Sequence, residues 1–182
     1  YKFLETNSLL ETTAKLISEG NVVGWYQGKM EWGPRALGNR SILADPRNAK
    51  MKDILNEKIK HRESFRPFAP CILEEYVSEY FDIDIPSPYM LLVAPVKKPE
   101  KIPAVTHVDG TGRLQTVSKD TNPLFYDLIN EFYKTTGVPV LINTSMNVRG
   151  EPIVNTLEQA YSMIIKTDMD YIVLGNYIVK KQ

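Results

Sequence analysis

Helical and extended patterns alternate along this chain, but twice the alternation is broken by two strands joined through a short turn. Residues 171–180 read as a strand, a Gly-Asn turn and a second strand. Residues 104–108 and 113–118 read as strands flanking Asp109-Gly110-Thr111-Gly112, a hairpin signal. Hairpins put antiparallel neighbours into a sheet that helix–strand alternation alone would make parallel. The pattern predicts an α+β (mixed α/β) fold, with helices flanking a twisted mixed open sheet.

The remaining elements follow from periodicity and punctuation. Residues 8–19 space Leu9, Leu10, Leu16 and Ile17 on one helical face and stop at Gly20. A short buried strand is expected over 21–26. A helix over 47–60 is expected to start at Asp45-Pro46, with Met51, Ile54, Leu55 and Ile59 inward. Two prolines in residues 66–73 confine that stretch to an edge or irregular strand. A buried strand over 89–94 is followed by a polar, proline-rich connector over 95–103. Asn122-Pro123 caps a helix with Leu124, Phe125, Leu128, Ile129 and Phe132 inward, ending near Gly137. A strand over 138–142 comes next, and Thr156-Leu157-Glu158-Gln159 is a capping box opening a helix to about Lys166.

At 182 residues the chain suits one domain with a sizeable core. No stretch of about eighteen apolar residues is present, so a transmembrane helix is excluded. No basic segment precedes an apolar one at the start, so no signal peptide is visible. The opening at Tyr1, directly before a helical pattern, reads as a piece of a longer protein. The single cysteine, Cys71, sits among apolar neighbours as an inert buried thiol and favours a reducing, cytoplasmic setting.

Charge is uneven although the net is zero. Lys29 to Arg66 holds ten Lys/Arg against five Asp/Glu, and five of the seven arginines fall between Arg35 and Arg66. That asymmetry points to a locally bound anion and not to a protein coated for DNA.

Four segments carry the chemistry. In residues 31–47, EWGPRALGNRSILADPR, neither a helix nor a strand period fits. Gly33-Pro34 fixes a turn before Arg35, and Gly38 lets backbone approach a ligand. Arginine suits phosphate because its planar fork donates two parallel hydrogen bonds and keeps its charge. The second segment runs from Lys58 through Lys60, His61 and Arg62 to Arg66. Basic residues at a helix C-terminus also satisfy the dipole, but Arg66 between Phe65 and a proline fits a solvated role poorly. His61 reads as a surface histidine more readily than as a base. The third, HVDGTGRLQTV (107–117), places Arg113 and Gln115 after the turn, while His107 and Asp109 alone make too few ligands for a metal. The fourth, PVLINTSMNVRGEP (139–152), runs from an apolar strand into Asn143, Ser145 and Asn147 at a strand end, where ligands bind in mixed sheets. Together these segments offer Arg, Lys, Asn and Ser groups without a paired carboxylate or metal cluster, an inventory that stabilises phosphate electrostatically.

WGPRALGNRSILADPR, KHRESFRPFAP, HVDGTGRLQTV and PVLINTSMNVRGEPI, in this order, resemble the C-terminal domain of the O-carbamoyltransferases that modify nodulation factors and antibiotics. The resemblance covers about Val22 to Val179. It implies a fold similar to that of the tRNA threonylcarbamoyladenylate synthases, and a polypeptide whose actin-like N-terminal domain carries out the transfer with its own divalent metal. It implies that this C-terminal domain binds carbamoyl phosphate and ATP (with Mg2+) and forms a carbamoyl-adenylate. Carried over by motif, Arg35, Lys60, Arg66 and Arg113 would grip phosphates, with Arg35, Lys60 and Arg66 at the reacting centre. Asn143, Ser145 and Asn147 would hold the carbamoyl end. Arg40 and Arg47 would either position Arg35 or face the N-terminal domain. Two other readings stand beside this one: RNA binding through the basic band with Trp25, Trp32, Phe65 and Phe68, and a non-catalytic domain that binds a phosphate ligand.

Overall fold

The helices form where cap residues and apolar spacing agree. In the computed structural model, which describes residues 1–61 and 66–182, helix α1 (Thr6–Ser18) buries Leu9, Leu10, Ala14 and Ile17. Helix α2 (Met51–Leu55) begins later than Asp45-Pro46 suggests, because Asp45 is engaged elsewhere, accepting from the Arg47 backbone and side chain. It widens into a π turn over Asn56–Lys60, closed by His61 N–H on the Asn56 carbonyl at 2.7 Å. Helix α3 is the single turn Val77–Tyr80. Helix α4 (Pro123–Thr136) has Asn122 as its cap, accepting from Phe125 N–H at 3.2 Å, and closes on Gly137 at φ 71°. Helix α5 (Leu157–Lys166) carries the complete Thr156–Gln159 capping box.

The strands are β1 (Lys2–Phe3), β2 (Val23–Tyr26), β3 (Arg40–Ala44), β4 (Ala69–Leu73), β5 (Val93–Pro95), β6 (Thr111–Arg113), β7 (Gln115–Val117), β8 (Val140–Ser145), β9 (Tyr171–Leu174) and β10 (Tyr177–Lys180). Eight of them form one mixed sheet in the order β1-β10-β9-β2-β3-β8-β4-β7, and β5 pairs with β6 in a small second sheet. The β2–β9 and β4–β7 pairs are parallel and the others antiparallel. The mixed sheet flanked by helices is the architecture that the alternation broken by hairpins predicts. Helices α1 and α4 pack against each other.

Four expectations are corrected. The arginine-rich segment contains β3, whose five residues are all buried at the centre of the sheet. A strand covered on both faces shows no period of two, so the pattern was silent there. Residues 69–73 form an interior strand between β8 and β7, not an edge. Pro70 is tolerated because pairing with β7 begins only at Cys71, so its missing N–H removes no bond on that flank. Residues 89–92 are not a buried strand: Met90 adopts φ 54°, which breaks the extended backbone, and Tyr89 and Leu91 are exposed. The hairpin over 104–118 does not form. Residues Pro103–Val105 make a 3-10 turn, and Thr111 caps the Asp109 carboxylate with its N–H and hydroxyl. Strand β6 then pairs with β5, while β7 joins the main sheet beside β4.

Candidate functional site

Strand register brings the four motifs to one end of the sheet. Asn143 on β8 lies opposite Leu43 on β3 and Ala69 on β4, and Gln115 on β7 lies opposite Cys71. Because β8 runs against β3 and β4, its C-terminal end meets their N-terminal ends. Arg35 precedes β3, Arg66 precedes β4, Arg113 closes β6 just before β7, and Asn147 follows β8. The π turn delivers Lys60 to the same end.

Lys60 is 6 % exposed. Its ammonium donates to the Ser145 carbonyl at 2.6 Å, the Asn147 carbonyl at 2.9 Å and Asn147 Oδ1 at 2.8 Å. These oxygens replace the water a buried ammonium loses. Ser145 Oγ also donates to Asn147 Oδ1 (2.8 Å), and Asn147 Nδ2 donates to the Glu151 carbonyl (2.8 Å). The lysine thus ties the turn after β8 into a fixed shape.

Asn143, 1 % exposed, donates from Nδ2 to Gln115 Oε1 at 2.8 Å and to the Ala36 carbonyl at 3.1 Å. Gln115 Nε2 donates to the Leu37 carbonyl at 2.9 Å. The two amides therefore grip the loop that follows Arg35. From the other side, Glu31 accepts from the backbone N–H groups of Leu37 (2.7 Å), Asn39 (3.1 Å) and Arg40 (3.1 Å). Burial pushes the Glu31 carboxyl above its ordinary range, and those three donors oppose the push. Gly38 turns at φ 118° with its N–H on Ser41 Oγ at 3.1 Å, against the Phe125 ring.

Three buried polar atoms, Arg113 Nε, Asn143 Oδ1 and His107 Nε2, have no partner among the described residues. Burial and the neighbouring Arg35 guanidinium lower the Arg113 pKa. Arg35 is exposed, while Arg113 keeps a buried donor and Asn143 a buried acceptor without partners, a set that suits an anion that also offers an N–H.

Other residues take different places. Arg40, 2 % exposed, donates to the carbonyls of Gln27 (2.5 Å), Asn39 (2.9 Å) and Gly28 (3.2 Å) and stacks on Tyr26. Arg47 forms a forked pair with Asp45, closing to 2.6 Å. His61 and Arg66 are exposed, and Arg62 and Phe65 lie outside the described residues. Of the described aromatics weighed for stacking on RNA, Trp25 and Phe68 are buried and Trp32 is exposed, so no platform assembles from them. Sequence reasoning gave Glu31 no role. The signal available was the loop itself, whose backbone donors had to find acceptors outside any helix or ladder. Among the described residues no three His, Cys, Asp or Glu side chains gather as a metal cluster, and no helix is long and apolar enough to cross a membrane.

The mixed sheet and its helices have a threonylcarbamoyladenylate-synthase-like fold, as similarity to solved structures shows. The chain matches P. abyssi Sua5 complexed with L-threonine (18 % identity, TM-score 0.68, covering 96 % of this chain and 48 % of that one). It matches full-length HypF in its phosphate- and nucleotide-bound form similarly (21 %, TM-score 0.66, 92 % and 25 %). Within that fold class, residues 14–181 match the family described as the carbamoyltransferase C-terminus, and the chain belongs to that family. It is 50 % identical to nodulation protein NolNO of Sinorhizobium fredii over 93 % of this chain and 26 % of that protein. It is 46 % identical to the 3'-hydroxymethylcephem-O-carbamoyltransferase of Amycolatopsis lactamdurans, over 78 % and 27 %. The chain spans roughly a quarter to a third of the length of the curated relatives it matches.

Proposed function

We propose that these residues form the carbamoyl-activating site of an O-carbamoyltransferase. Carbamoyl phosphate binds, and water cleaves its P–O bond, giving carbamate and inorganic phosphate. The carbamate oxygen then attacks the α-phosphorus of ATP, releasing pyrophosphate and leaving carbamoyl-adenylate. Another part of a longer polypeptide, an actin-like N-terminal domain with its own divalent metal, passes the carbamoyl group to a hydroxyl acceptor. The observation that carries this reading is the buried Lys60 bound to Ser145 and Asn147 at the sheet end where the segments bearing Arg35, Arg66 and Arg113 enter their strands. A carbamoyl phosphate offers both the dianion for the guanidiniums and an NH2 for the amide oxygen.

In this scheme Arg35, Arg66 and Arg113 hold phosphate oxygens, and Lys60 adds charge while fixing Ser145 and Asn147 around the carbamoyl end. The donor set is one for phosphate, so a Mg2+ that accompanies ATP would rest on phosphate oxygens and water. Carbamate is a small anion, so fixed positive charge serves it better than an acid–base pair. Support comes from the cephem carbamoyltransferase among the relatives and from the phosphate- and nucleotide-bound state of HypF. Calorimetric titration with carbamoyl phosphate, and separately with ATP, tests the reading. Wild type should bind, and Lys60→Ala and Arg66→Ala should each abolish binding. Binding that survives both substitutions would place the site elsewhere.

A further inference from the structure

The loop between Arg35 and β3 has almost no regular structure to hold it. Gly33 and Gly38 sit at φ 100° and 118°, in conformations no helix or ladder uses, so the N–H groups of residues 37–40 need acceptors of another kind. Glu31 takes three of these donors on two oxygens, and Ser41 takes that of Gly38. On the opposite side the Ala36 and Leu37 carbonyls accept from Asn143 and Gln115. Each peptide group from Ala36 to Arg40 is thus gripped by at least one named partner.

An acidic residue beside a phosphate site is unfavourable by charge alone, since it repels the ligand. Its presence needs a compensating gain, and the contacts name one. We propose that Glu31 is a positioning residue for phosphate binding: its carboxylate holds the loop that follows Arg35, so that this arginine is placed before any ligand arrives. The proposal rests on the phosphate-binding reading above. Bonds from N–H to a carboxylate are roughly twice as strong as neutral ones, and a loop ordered during folding does not have to be ordered again on binding.

Carbamoyl phosphate affinity measured by calorimetry in wild type, Glu31→Gln, Arg35→Ala and the double variant tests this. Glu31→Gln keeps one acceptor oxygen but presents an NH2 to the Arg40 N–H. It should weaken binding about tenfold, equivalent to about 1.4 kcal/mol. In the Arg35→Ala background the same substitution should change affinity little, because the loop then has no guanidinium to place. An unchanged affinity in Glu31→Gln, or an equal loss with and without Arg35, would overturn the proposal while the phosphate reading stands. Absence of binding by wild type would overturn the reading and the proposal with it. Should the variants not fold, hydrogen exchange of the ligand-free wild type decides: protected Leu37, Asn39 and Arg40 amides are expected, and unprotected ones would sink the idea.

Discussion

Asn143 on β8 donates to Gln115 on β7 at 2.8 Å, across β4, which lies between the two strands. The bond spans a strand because the residues beneath it are small: Ala69 faces Asn143 and Cys71 faces Gln115. Both amides then reach the loop after Arg35, so two strands and a loop share one polar junction. A double-mutant cycle with Asn143→Ala and Gln115→Ala should show a coupling of about 1–2 kcal/mol in urea unfolding. Strict additivity would mean that the junction does not act as a unit.

Gly38→Ala should be among the most damaging small substitutions. A Cβ there meets the Phe125 ring, and φ 118° is a glycine conformation. Strain and overpacking together should cost about 2–5 kcal/mol, read as a lowered denaturation midpoint.

Arg40 works inside the scaffold. Replacement by alanine strands the Gln27 and Gly28 carbonyls, while that of Asn39 keeps the Gln27 N–H, and should cost about 3 kcal/mol. Lysine should recover less than half of this, since a single ammonium cannot span the acceptors that the guanidinium fork reaches. Comparing the midpoints of Arg40→Ala and Arg40→Lys checks both statements.

His107 predicts a pH dependence. Burial lowers its pKa, helped by Arg113 and Lys52 and opposed by Asp109. The folded state therefore holds the imidazole neutral where the unfolded chain protonates it. Stability is intact above the ordinary histidine value of about 6.5 and falls as pH drops below it. Thermal unfolding of His107→Asn should show a shallower fall with acidification than wild type.

Local chemistry was legible wherever it decided the outcome. Asn122-Pro123 and Gly137 bound α4, and the Thr156–Gln159 box opens α5, because a cap is satisfied within its own helix. The turn between β9 and β10 was equally clear. Strand β3 was hidden because all five of its residues are buried, so no alternation of polarity marks it. The apolar run at 89–92 misled, since nothing within those residues reveals that Met90 turns the backbone away from a strand. Among the candidate residues, Asn143, Ser145 and Asn147 stood out by an abrupt change of polarity and Lys60 by its place in a basic cluster, and Lys60 meets Ser145 and Asn147. Glu31 was invisible as a contributor: an acid among arginines reads as charge balance until its three backbone donors are seen.

The parallel pairing of β2 with β9 sets Val23 beside Tyr171 and Tyr26 beside Leu174. During synthesis, the first of these strands leaves the ribosome long before the second exists. At ordinary elongation rates the delay is roughly ten to thirty seconds. For that time Val-Gly-Trp-Tyr presents an open, apolar edge that any extended chain could capture. Nascent copies of this protein should therefore depend on a chaperone, or on slow local collapse, until residues 171–174 arrive to close the sheet.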